Sequence, residues 1–413
     1  HLVSDVHMNG TSQRVDNYTK AMQDMATVMA DTNIGFVNAG DFTSQSTAAQ
    51  YESFYETTAA HNPVSDEKTL ILLGNHDVRG PNQDNWNKDP NQESPYWQTA
   101  KELYLTNNAP YMPADDKETL YYSKELGGYT FIMLNTENGL KDAMYMSDEQ
   151  LAWFEQTMKE CYEEDPTKPV FIISHQPLNN SHWMSNILDG FDGWSNAAGT
   201  GPYGQPQPYN TGKDAAVKEV MAKYPVGVFL SGHIHNQLDV AEVQMRQYGT
   251  LVDLPSFAEP CIGIADIGTG YEVAIYDNEI VFRARNFVTG QWMPQYDKVV
   301  KTPTVTALYQ QALARQDAGQ SSPALDAAVE QAAALLTRQY DQEGLAWNNT
   351  ATPDTFYFHE DAQQQIEQAR AALAEALGQL PTEDKEVESA QDIYLQAGTQ
   401  IDKPTSEYGD WVG

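Results

Sequence analysis

Cysteine and long apolar runs are what this sequence lacks most clearly, and each shortage excludes a class of protein. Only two of the 413 residues are cysteine, Cys161 and Cys261. A disulfide framework and a cysteine-rich zinc site are therefore both excluded, while the pairing of these two cysteines stays open. No apolar run approaches the roughly 20 residues needed to cross a bilayer, so we expect no membrane span.

Positive charge is also scarce, because 58 acidic residues face 24 basic ones and the formal net charge is −34. The field of such a chain repels polyanions, so we expect neither a nucleic acid duplex nor an anionic membrane as a partner. A phosphate-bearing substrate is repelled as well unless cations are held beside it. A glycine-rich phosphate loop of the Walker type is absent too, which argues against nucleotide hydrolysis by that route.

The composition that remains indicates a large globular protein. Hydrophobic residues make up 41% of the chain and aromatic residues 11%, proportions typical of packed cores and not of disordered chains. The first residues already have the character of a strand end, and no signal peptide precedes them. We therefore expect that upstream sequence has been removed. Two locations stay open: secreted or displayed at the cell surface after loss of a signal, or cytoplasmic.

Strand and helix patterns alternate from the first residue to about residue 240. Short apolar runs predict strands at residues 2–4, 34–39, 69–73, 129–134, 170–174 and 226–230. Helical spacing predicts helices at residues 14–30, 48–61, 147–164 and 214–223. The third of these helices starts with a capping-box pair, Ser147 and Gln150. This alternation predicts an α/β sandwich with mostly parallel pairing near the functional site.

Beyond this part the pattern changes, first to strands and then to helices. The runs at residues 272–276 and 280–285 flank Asp277-Asn278 and predict a hairpin at the edge of a second sheet. From residue 302 on, the chain is rich in alanine, glutamine and glutamate. Apolar side chains recur there at helical spacing in two stripes: Leu325, Val329, Ala332 and Leu336, then Ile366, Ala369, Leu373, Ala376 or Leu377, and Leu380.

We therefore divide the chain into a first domain, residues 1–300, and a C-terminal helical region, residues 301–413. Two interpretations of the helical region stay open. It either braces the first domain, or it binds a surface partner, as its similarity to small helical modules of bacterial surface proteins implies. We interpret the irregular connections at residues 79–95 and 177–211 as walls of a substrate cleft.

Side chains that can bind metals follow five of the six predicted strands. Asp5 and His7 follow the first strand, Asp41 the second, Asn75 the third, His175 the fifth, and His233 with His235 the sixth. Five of the nine histidines, with His76 included, lie at these strand ends, which chance rarely produces. Residues two apart on a strand face the same side, so each Asp-x-His or His-x-His pair can direct two ligands to one pocket.

The types of ligand and their number indicate the ions and the chemistry. Aspartate and histidine without thiolate suit Mn, Fe, Zn or Co. Seven ligands exceed what one tetrahedral ion takes, whereas two ions that share one carboxylate fit the count. A pair of ions about 4 Å apart is the arrangement that binds both oxygens of an in-line phosphoryl displacement.

The order of these blocks, D-x-H, GD, GNHD, a single H and GHxH, resembles that of the calcineurin-like metallophosphoesterase superfamily. The resemblance covers about residues 1–240. It implies an α/β fold, namely a four-layer α/β/β/α metallophosphoesterase sandwich, here with a C-terminal helical appendage. It also implies two divalent or trivalent metal ions with four ligands each. One ion is held by Asp5, His7, Asp41 and His235, and the other by Asp41, Asn75, His175 and His233.

The resemblance also implies roles for the residues that follow Asn75. His76 contacts the phosphate and protonates the leaving oxygen, and Asp77 orients His76. For Arg79 two interpretations stay open, a further phosphate contact or an exposed loop arginine. The two ions lower the pKa of a bound water, so that hydroxide is available near neutral pH.

The substrate class follows from finer features of the same blocks. Phe42 follows Gly40-Asp41 where purple acid phosphatases place a metal-binding tyrosine, which argues against that branch. The compact blocks are similar to those of the bacterial branch that includes class III cyclic-nucleotide and glycerophosphodiester phosphodiesterases. We therefore expect metal-dependent hydrolysis of a small-molecule phosphodiester. Two alternatives stay open: a phosphomonoesterase of the same fold, and a non-catalytic surface binding or scaffold protein.

Overall fold

Two β-sheets form the centre of the fold in the computed structural model. The structure describes residues 1–28, 31–87, 89–113, 119–179, 181–182, 190–192, 213–260, 263–264, 266–337 and 360–380. Within these residues the strands, in chain order, are β1 (Leu2–Val3), β2 (Phe36–Asn38), β3 (Thr69–Ile71), β4 (Tyr122–Leu126), β5 (Tyr129–Met133), β6 (Val170–Ile173), β7 (Gly227–Ser231), β8 (Val243–Arg246), β9 (Gly249–Asp253), β10 (Thr269–Tyr276), β11 (Glu279–Asn286), β12 (Gln291–Trp292) and β13 (Lys298–Lys301). The helices are α1 (Ser12–Met25), α2 (Ala48–His61), α3 (Asn75–Val78), α4 (Trp97–Asn108), α5 (Asp148–Glu164), α6 (Asp214–Lys223), α7 (Val305–Asp317), α8 (Pro323–Leu336) and α9 (Glu360–Gly378).

The first sheet brings together strands that are far apart in the sequence. β1, β2 and β3 run parallel, with Leu2 beside Val37 and Val37 beside Leu70. β10 pairs antiparallel with β1, and β11 joins β10 to β12 and β13. The order across this sheet is β12-β11-β10-β1-β2-β3, with β13 also on β11.

The predicted hairpin forms, but not in the expected sheet. Tyr276 pairs with Glu279, which leaves Asp277-Asn278 as a two-residue loop. Leu2 pairs with Tyr271, so the hairpin extends the first sheet, and the prediction that it lies at the edge of a second sheet is wrong. A local pattern of apolar residues carries no information on a partner so distant in the sequence.

The second sheet has the order β4-β5-β6-β7-β9-β8, in which β5, β6, β7 and β9 run parallel. Both faces of β6 are buried. Phe171 and Ile173 belong to the core that also contains the first sheet, whereas Val170 and Ile172 pack with side chains of α5 and α6. Because side chains alternate along a strand, the continuous apolar run of β6 is typical of a strand buried on both faces.

Helices cover the outer faces, so the architecture is mixed α/β with two sheets flanked by helices, as the resemblance implies. Tyr18 of α1 stacks on Phe54 of α2 with ring centroids 5.2 Å apart, and both belong to the core of the first sheet. Phe154 of α5 and Met221 of α6 are buried against the second sheet. The predicted bounds of α2 and α6 are confirmed, whereas α1 ends earlier than predicted, at Met25.

The capping box predicted for α5 forms only in part. Ser147 Oγ accepts from Gln150 N over 3.1 Å, as expected of an N-cap. The Gln150 side chain does not return to Ser147, because its Oε1 accepts from Asn135 N over 3.0 Å, and Ser147 N donates to Glu137 Oε2 over 2.7 Å. Tertiary partners thus replace the second half of the box.

The helical region has a core of its own, built from α7, α8 and α9. The buried side chains of the last two helices are Leu325, Ala328, Ala332 and Leu336 in α8, and Ile366, Ala369, Leu373 and Ala376 in α9. The predicted stripes are confirmed except at Val329 and Leu380, which are half-buried against this core. The 3.6-residue repeat of an amphipathic helix was therefore sufficient to identify both helices.

This region is attached to the edge of the second sheet. Thr306 Oγ1 donates to Arg246 O over 2.6 Å, and Gln310 Nε2 donates to Gln247 O over 2.7 Å. Such contacts suit a brace, while the boundary at residue 300, the surface partner and the cellular location stay predictions. Among the described residues, no helix combines the length and apolar character that crossing a membrane requires.

Asn135, which follows β5, links the two sheets and provides a test of this packing. Its Oδ1 accepts from Leu73 N over 2.8 Å, and its Nδ2 donates to Leu120 O over 2.7 Å. Asn135→Leu leaves the buried Leu73 N–H without this acceptor. We therefore expect urea titrations to show a loss of about 1–3 kcal/mol in the free energy of unfolding.

The control for this prediction is Asn107→Leu. Asn107 is half-buried, and its Nδ2 donates to Leu103 O within α4. This variant should change the free energy of unfolding by about 0.5 kcal/mol or less. Equal losses in the two variants would contradict a specific link between the sheets at Asn135.

Candidate functional site

Five strand ends, three from the first sheet and two from the second, supply the polar side chains of one site. Asp5 and His7 follow β1, Asp41 follows β2, Asn75 follows β3, His175 follows β6, and His233 and His235 follow β7. The carboxyl ends of parallel strands lie at the same edge of a sheet, where α/β proteins bind their ligands. The predicted ligands therefore come from the expected edge of each sheet.

Five of these residues have a left-handed backbone. The φ angles are 58° at Asp5, 48° at His7, 50° at Asp41, 73° at His233 and 54° at His235. Such angles are uncommon for residues other than glycine, and each costs of order 1–3 kcal/mol. Backbone hydrogen bonds hold the strained turns in place, since Asp5 N donates to Gly40 O over 3.0 Å and His7 N donates to Asp41 O over 2.8 Å.

Asp5, His7, Asp41 and His235 form one group, in which each residue offers a ligand atom within 4.8 Å of the others. His235 Nε2 lies 3.1 Å from Asp5 Oδ1 and 3.0 Å from His7 Nε2. Asp41, His175 and His233 form a second group by the same measure. His175 Nε2 lies 3.0 Å from Asp41 Oδ2, and Asp41 is the residue common to both groups.

Asn75, the remaining predicted ligand, is an amide and lies outside these two groups of acids and histidines. Its Nδ2 donates to Lys141 O over 2.8 Å. This bond fixes the orientation of the amide and directs Oδ1 away from Lys141. His76 N, the next amide along the chain, donates to Asp41 Oδ1 over 2.8 Å and so keeps this turn beside Asp41.

The buried oxygens of the site fit a metal ion. Asp5 Oδ1, Asp41 Oδ2 and Asn75 Oδ1 accept no hydrogen bond from the part of the chain that the structure describes. Buried carboxylate oxygens without a donor are costly, and a cation removes that cost. Carboxylate, imidazole and amide groups without a thiolate suit Mn, Fe, Zn or Co.

The protonation states of the histidines agree with such a site. Burial lowers the pKa of His7 and His233 well below its usual value, and neighbouring histidines act in the same direction. Both rings are thus neutral, which is the form that binds a metal. At His175 burial also acts to lower the pKa, but the Asp41 carboxylate outweighs it and raises the pKa to about 9. A dication beside Asp41 would take the place of that proton.

A backbone carbonyl behind His175 fixes which of its ring nitrogens faces Asp41. His175 Nδ1 lies 2.8 Å from Ala39 O, and a carbonyl oxygen can only accept, so Nδ1 donates and Nε2 faces Asp41. Gly74 allows the close approach of two turns, because a Cβ at this position would lie 2.1 Å from Asp41 Oδ1. Its own backbone is extended, so the space beside Asp41 explains the glycine.

Asp77 does not contact His76 as the resemblance implied. Its carboxylate accepts from Thr43 N over 2.7 Å and from Gly74 N over 2.8 Å. His76 Nδ1 instead lies 2.8 Å from Ser44 O and donates to it. The difference has a simple cause: an acid in the third position of a helix reaches back to the amide that precedes the helix. Asp77 therefore closes the turn of α3, and a carbonyl orients His76.

Ser46 stabilises the turn that carries Asn75 and His76. In the described part of the chain, Ser46 is the one non-glycine residue besides the five described above with a positive φ, at 55°. Ser46 Oγ donates to His76 O over 2.6 Å and accepts from Gly80 N over 3.1 Å. The two ends of the turn that carries Asn75 and His76 are thereby tied to one hydroxyl.

Arg79 is not the exposed loop arginine that the sequence left open. Its side chain is 11% exposed, and its guanidinium lies 4.1 Å above the ring of Trp86. Nη2 of Arg79 is 2.7 Å from Nε2 of His76. Lys141 and Asp142, which contact Arg79 from another loop, were not singled out from the sequence. They occur in an ordinary polar segment, and nothing in its pattern indicates a site.

The two predicted cleft walls differ in how much of each lies within the described residues. Residues 79–87 border the site, because Arg79 lies beside His76 and Lys141 N donates to Asn87 O over 2.8 Å. Most of residues 177–211 lie outside the described residues, so the prediction for that wall stays a prediction.

Comparisons with known proteins agree with this geometry. The model of the calcineurin-like phosphoesterase family matches residues 1–237. No curated protein matches the chain. Among solved structures, one match is a conserved uncharacterized protein from Streptococcus pneumoniae TIGR4, described as a predicted phosphoesterase. It has 9% sequence identity, covers 73% of this chain and 95% of its own, and has a TM-score of 0.29. At that score the similarity supports no conclusion.

The family match covers more than half of the chain and includes every predicted ligand residue. The family is metal-dependent, and the clustered aspartate and histidine side chains of this chain could hold metal ions. The chain therefore belongs to the calcineurin-like phosphoesterases and is a metal-dependent hydrolase that acts on phosphoester bonds.

Proposed function

We propose that this hydrolase cleaves a small-molecule phosphodiester, of the cyclic-nucleotide or glycerophosphodiester type, with two metal ions that share Asp41. The observation that carries the proposal is the position of one oxygen. Asp41 Oδ2 lies 3.9 Å from His7 Nε2 in the first group and 3.0 Å from His175 Nε2 in the second. One carboxylate oxygen between two sets of ligands suits a pair of ions far better than a single ion.

The two sites are assigned as follows. Asp5, His7, Asp41 and His235 hold one ion, and Asp41, Asn75, His175 and His233 hold the other. Divalent or trivalent Mn, Fe, Zn or Co bound there would supply an activated water and neutralise the phosphate oxygens. These ions also supply the local positive charge that a chain of net charge −34 needs in order to bind a phosphate.

His76 is the proposed proton donor to the leaving oxygen. Its Nδ1 is fixed on Ser44 O, so Nε2 is the nitrogen that donates once a substrate oxygen takes the place of the Arg79 guanidinium, which lies 2.7 Å from it. Burial lowers the pKa of His76, Asp41 opposes this effect, and Arg79 adds to it. The negative charge of a bound phosphate favours the protonated ring and so restores the form that can donate.

Two features favour a diester over a monoester. Phe42 takes the position of the tyrosine ligand of purple acid phosphatases, and it is buried against Phe54 with ring centroids 4.6 Å apart. That branch of monoesterases is thereby disfavoured. The acidic chain also repels a doubly charged monoester more strongly than a singly charged diester.

The first prediction concerns the substrate. The metal-loaded protein should hydrolyse bis-p-nitrophenyl phosphate with a higher kcat/KM than p-nitrophenyl phosphate, and absorbance of p-nitrophenol measures both. A higher value for the monoester would favour a phosphomonoesterase. Failure to hydrolyse either compound or any natural ester would favour a non-catalytic binding protein.

The second prediction separates the metal ligands from the proton donor. Asp41→Ala should lose metal and activity together, because both sites depend on this carboxylate. His76→Ala should keep its metal, while kcat falls by about 10²–10⁴-fold through loss of the proton donor. Mass spectrometry of the bound metal and turnover of bis-p-nitrophenyl phosphate measure the two properties.

His61→Ala is the matched control, since His61 ends α2 and is half-buried away from both ligand groups. It should keep both metal and turnover. Equal loss of metal in His76→Ala and Asp41→Ala would remove His76 from its proposed role.

A further inference from the structure

Four side chains from two loops form a charged cluster beside His76: Arg79, Trp86, Lys141 and Asp142. Asp142 Oδ2 lies 2.6 Å from Lys141 Nζ, and Asp142 Oδ1 lies 3.8 Å from Arg79 Nη1. The Trp86 ring lies 4.1 Å from the Arg79 guanidinium carbon and 5.9 Å from Lys141 Nζ. The cluster thus holds two cations and one carboxylate around an aromatic ring.

The cluster contacts both the proposed proton donor, His76, and a predicted metal ligand, Asn75. Arg79 Nη2 lies 2.7 Å from His76 Nε2, so a phosphate oxygen that reaches His76 also reaches Arg79. Lys141 O accepts from Asn75 Nδ2 over 2.8 Å, which places the start of this loop directly behind a predicted metal ligand. The charges of the cluster therefore act on the bound phosphate.

Asp142 reduces the positive charge that this cluster presents. Arg79 and Lys141 contribute two positive charges and Asp142 one negative charge, so the net charge of the cluster is +1. Asp142 is 7% exposed, so solvent screens its charge less than that of a surface carboxylate. Its backbone is held separately, because Gln176 Nε2 donates to Asp142 O over 2.8 Å. A change of its side chain can therefore alter the charge without releasing the loop.

We propose that Asp142 is a specificity-determining residue that favours a singly charged phosphodiester over a doubly charged phosphomonoester. The inference rests on the proposed function, since it concerns the same site. A diester carries one negative charge, whereas a monoester carries nearly two above about pH 7. Asp142 repels each extra negative charge on the substrate. At a separation of about 7 Å and an effective dielectric constant of about 30, this repulsion changes the affinity on the order of tenfold.

The test compares binding of two probes to the metal-loaded wild type and to Asp142→Asn. Inorganic phosphate serves as the dianion at about pH 8.5, and dimethyl phosphate serves as the monoanion. Calorimetry measures both dissociation constants. We expect Asp142→Asn to tighten phosphate binding on the order of tenfold relative to dimethyl phosphate. Lys141→Gln, at a half-buried position, should shift the same ratio in the opposite direction.

Asp317→Asn is the control, because it makes the same change of net charge at an exposed position of α7 and should leave the ratio unchanged. An unchanged ratio in Asp142→Asn, or a shift toward dimethyl phosphate, would overturn the inference. Turnover of bis-p-nitrophenyl phosphate by the wild type distinguishes the two proposals. A wild type without turnover overturns the proposed function, whereas the ratio of the binding constants still decides the role of Asp142.

Discussion

The buried carboxylate of Asp41 is the group on which the site depends. One of its oxygens accepts from His76 N, and the other faces histidines of both ligand groups. Burial alone raises the pKa of Asp41, but His175 and His76 hold it well below its usual value, so the group stays ionised. An ionised carboxylate in the interior is tolerated only where it is paired with a cation or binds a metal ion. The strained turns around Asp41 bring aspartate and histidine side chains of both groups beside this carboxylate.

The fold provides these turns at two sheet edges at once. On one side Asp5, Asp41 and Asn75 follow β1, β2 and β3. On the other side β6 is followed by His175, and β7 by His233 and His235. Five left-handed residues, which lie after β1, β2 and β7, turn the chain beyond these strands and bring the clustered side chains together. The stability lost in these turns is offset by burial of the two cores on either side of the second sheet.

The sequence indicated the aspartate and histidine residues that cluster here because each follows an apolar run that stops abruptly. Such a run indicates a buried strand, and the polar residue after it indicates the edge of the sheet. The partner of Asp77 could not be predicted in this way, since a carboxylate one turn into a helix can bond either a side chain or the amide before the helix. Lys141 and Asp142 are brought to Arg79 by pairing between two loops, and that pairing leaves no periodic pattern. The sheet that the hairpin joins was predicted wrongly, because the apolar pattern of a strand does not indicate which strand it pairs with.

The most direct test of a shared Asp41 is anomalous X-ray diffraction from crystals of the metal-loaded wild-type protein. The account predicts two peaks per chain, about 4 Å apart, one on each side of Asp41 Oδ2. Asp5, His7 and His235 should coordinate the first ion, and Asn75, His175 and His233 the second. A single peak, or two ions that do not share the Asp41 carboxylate, would contradict the account.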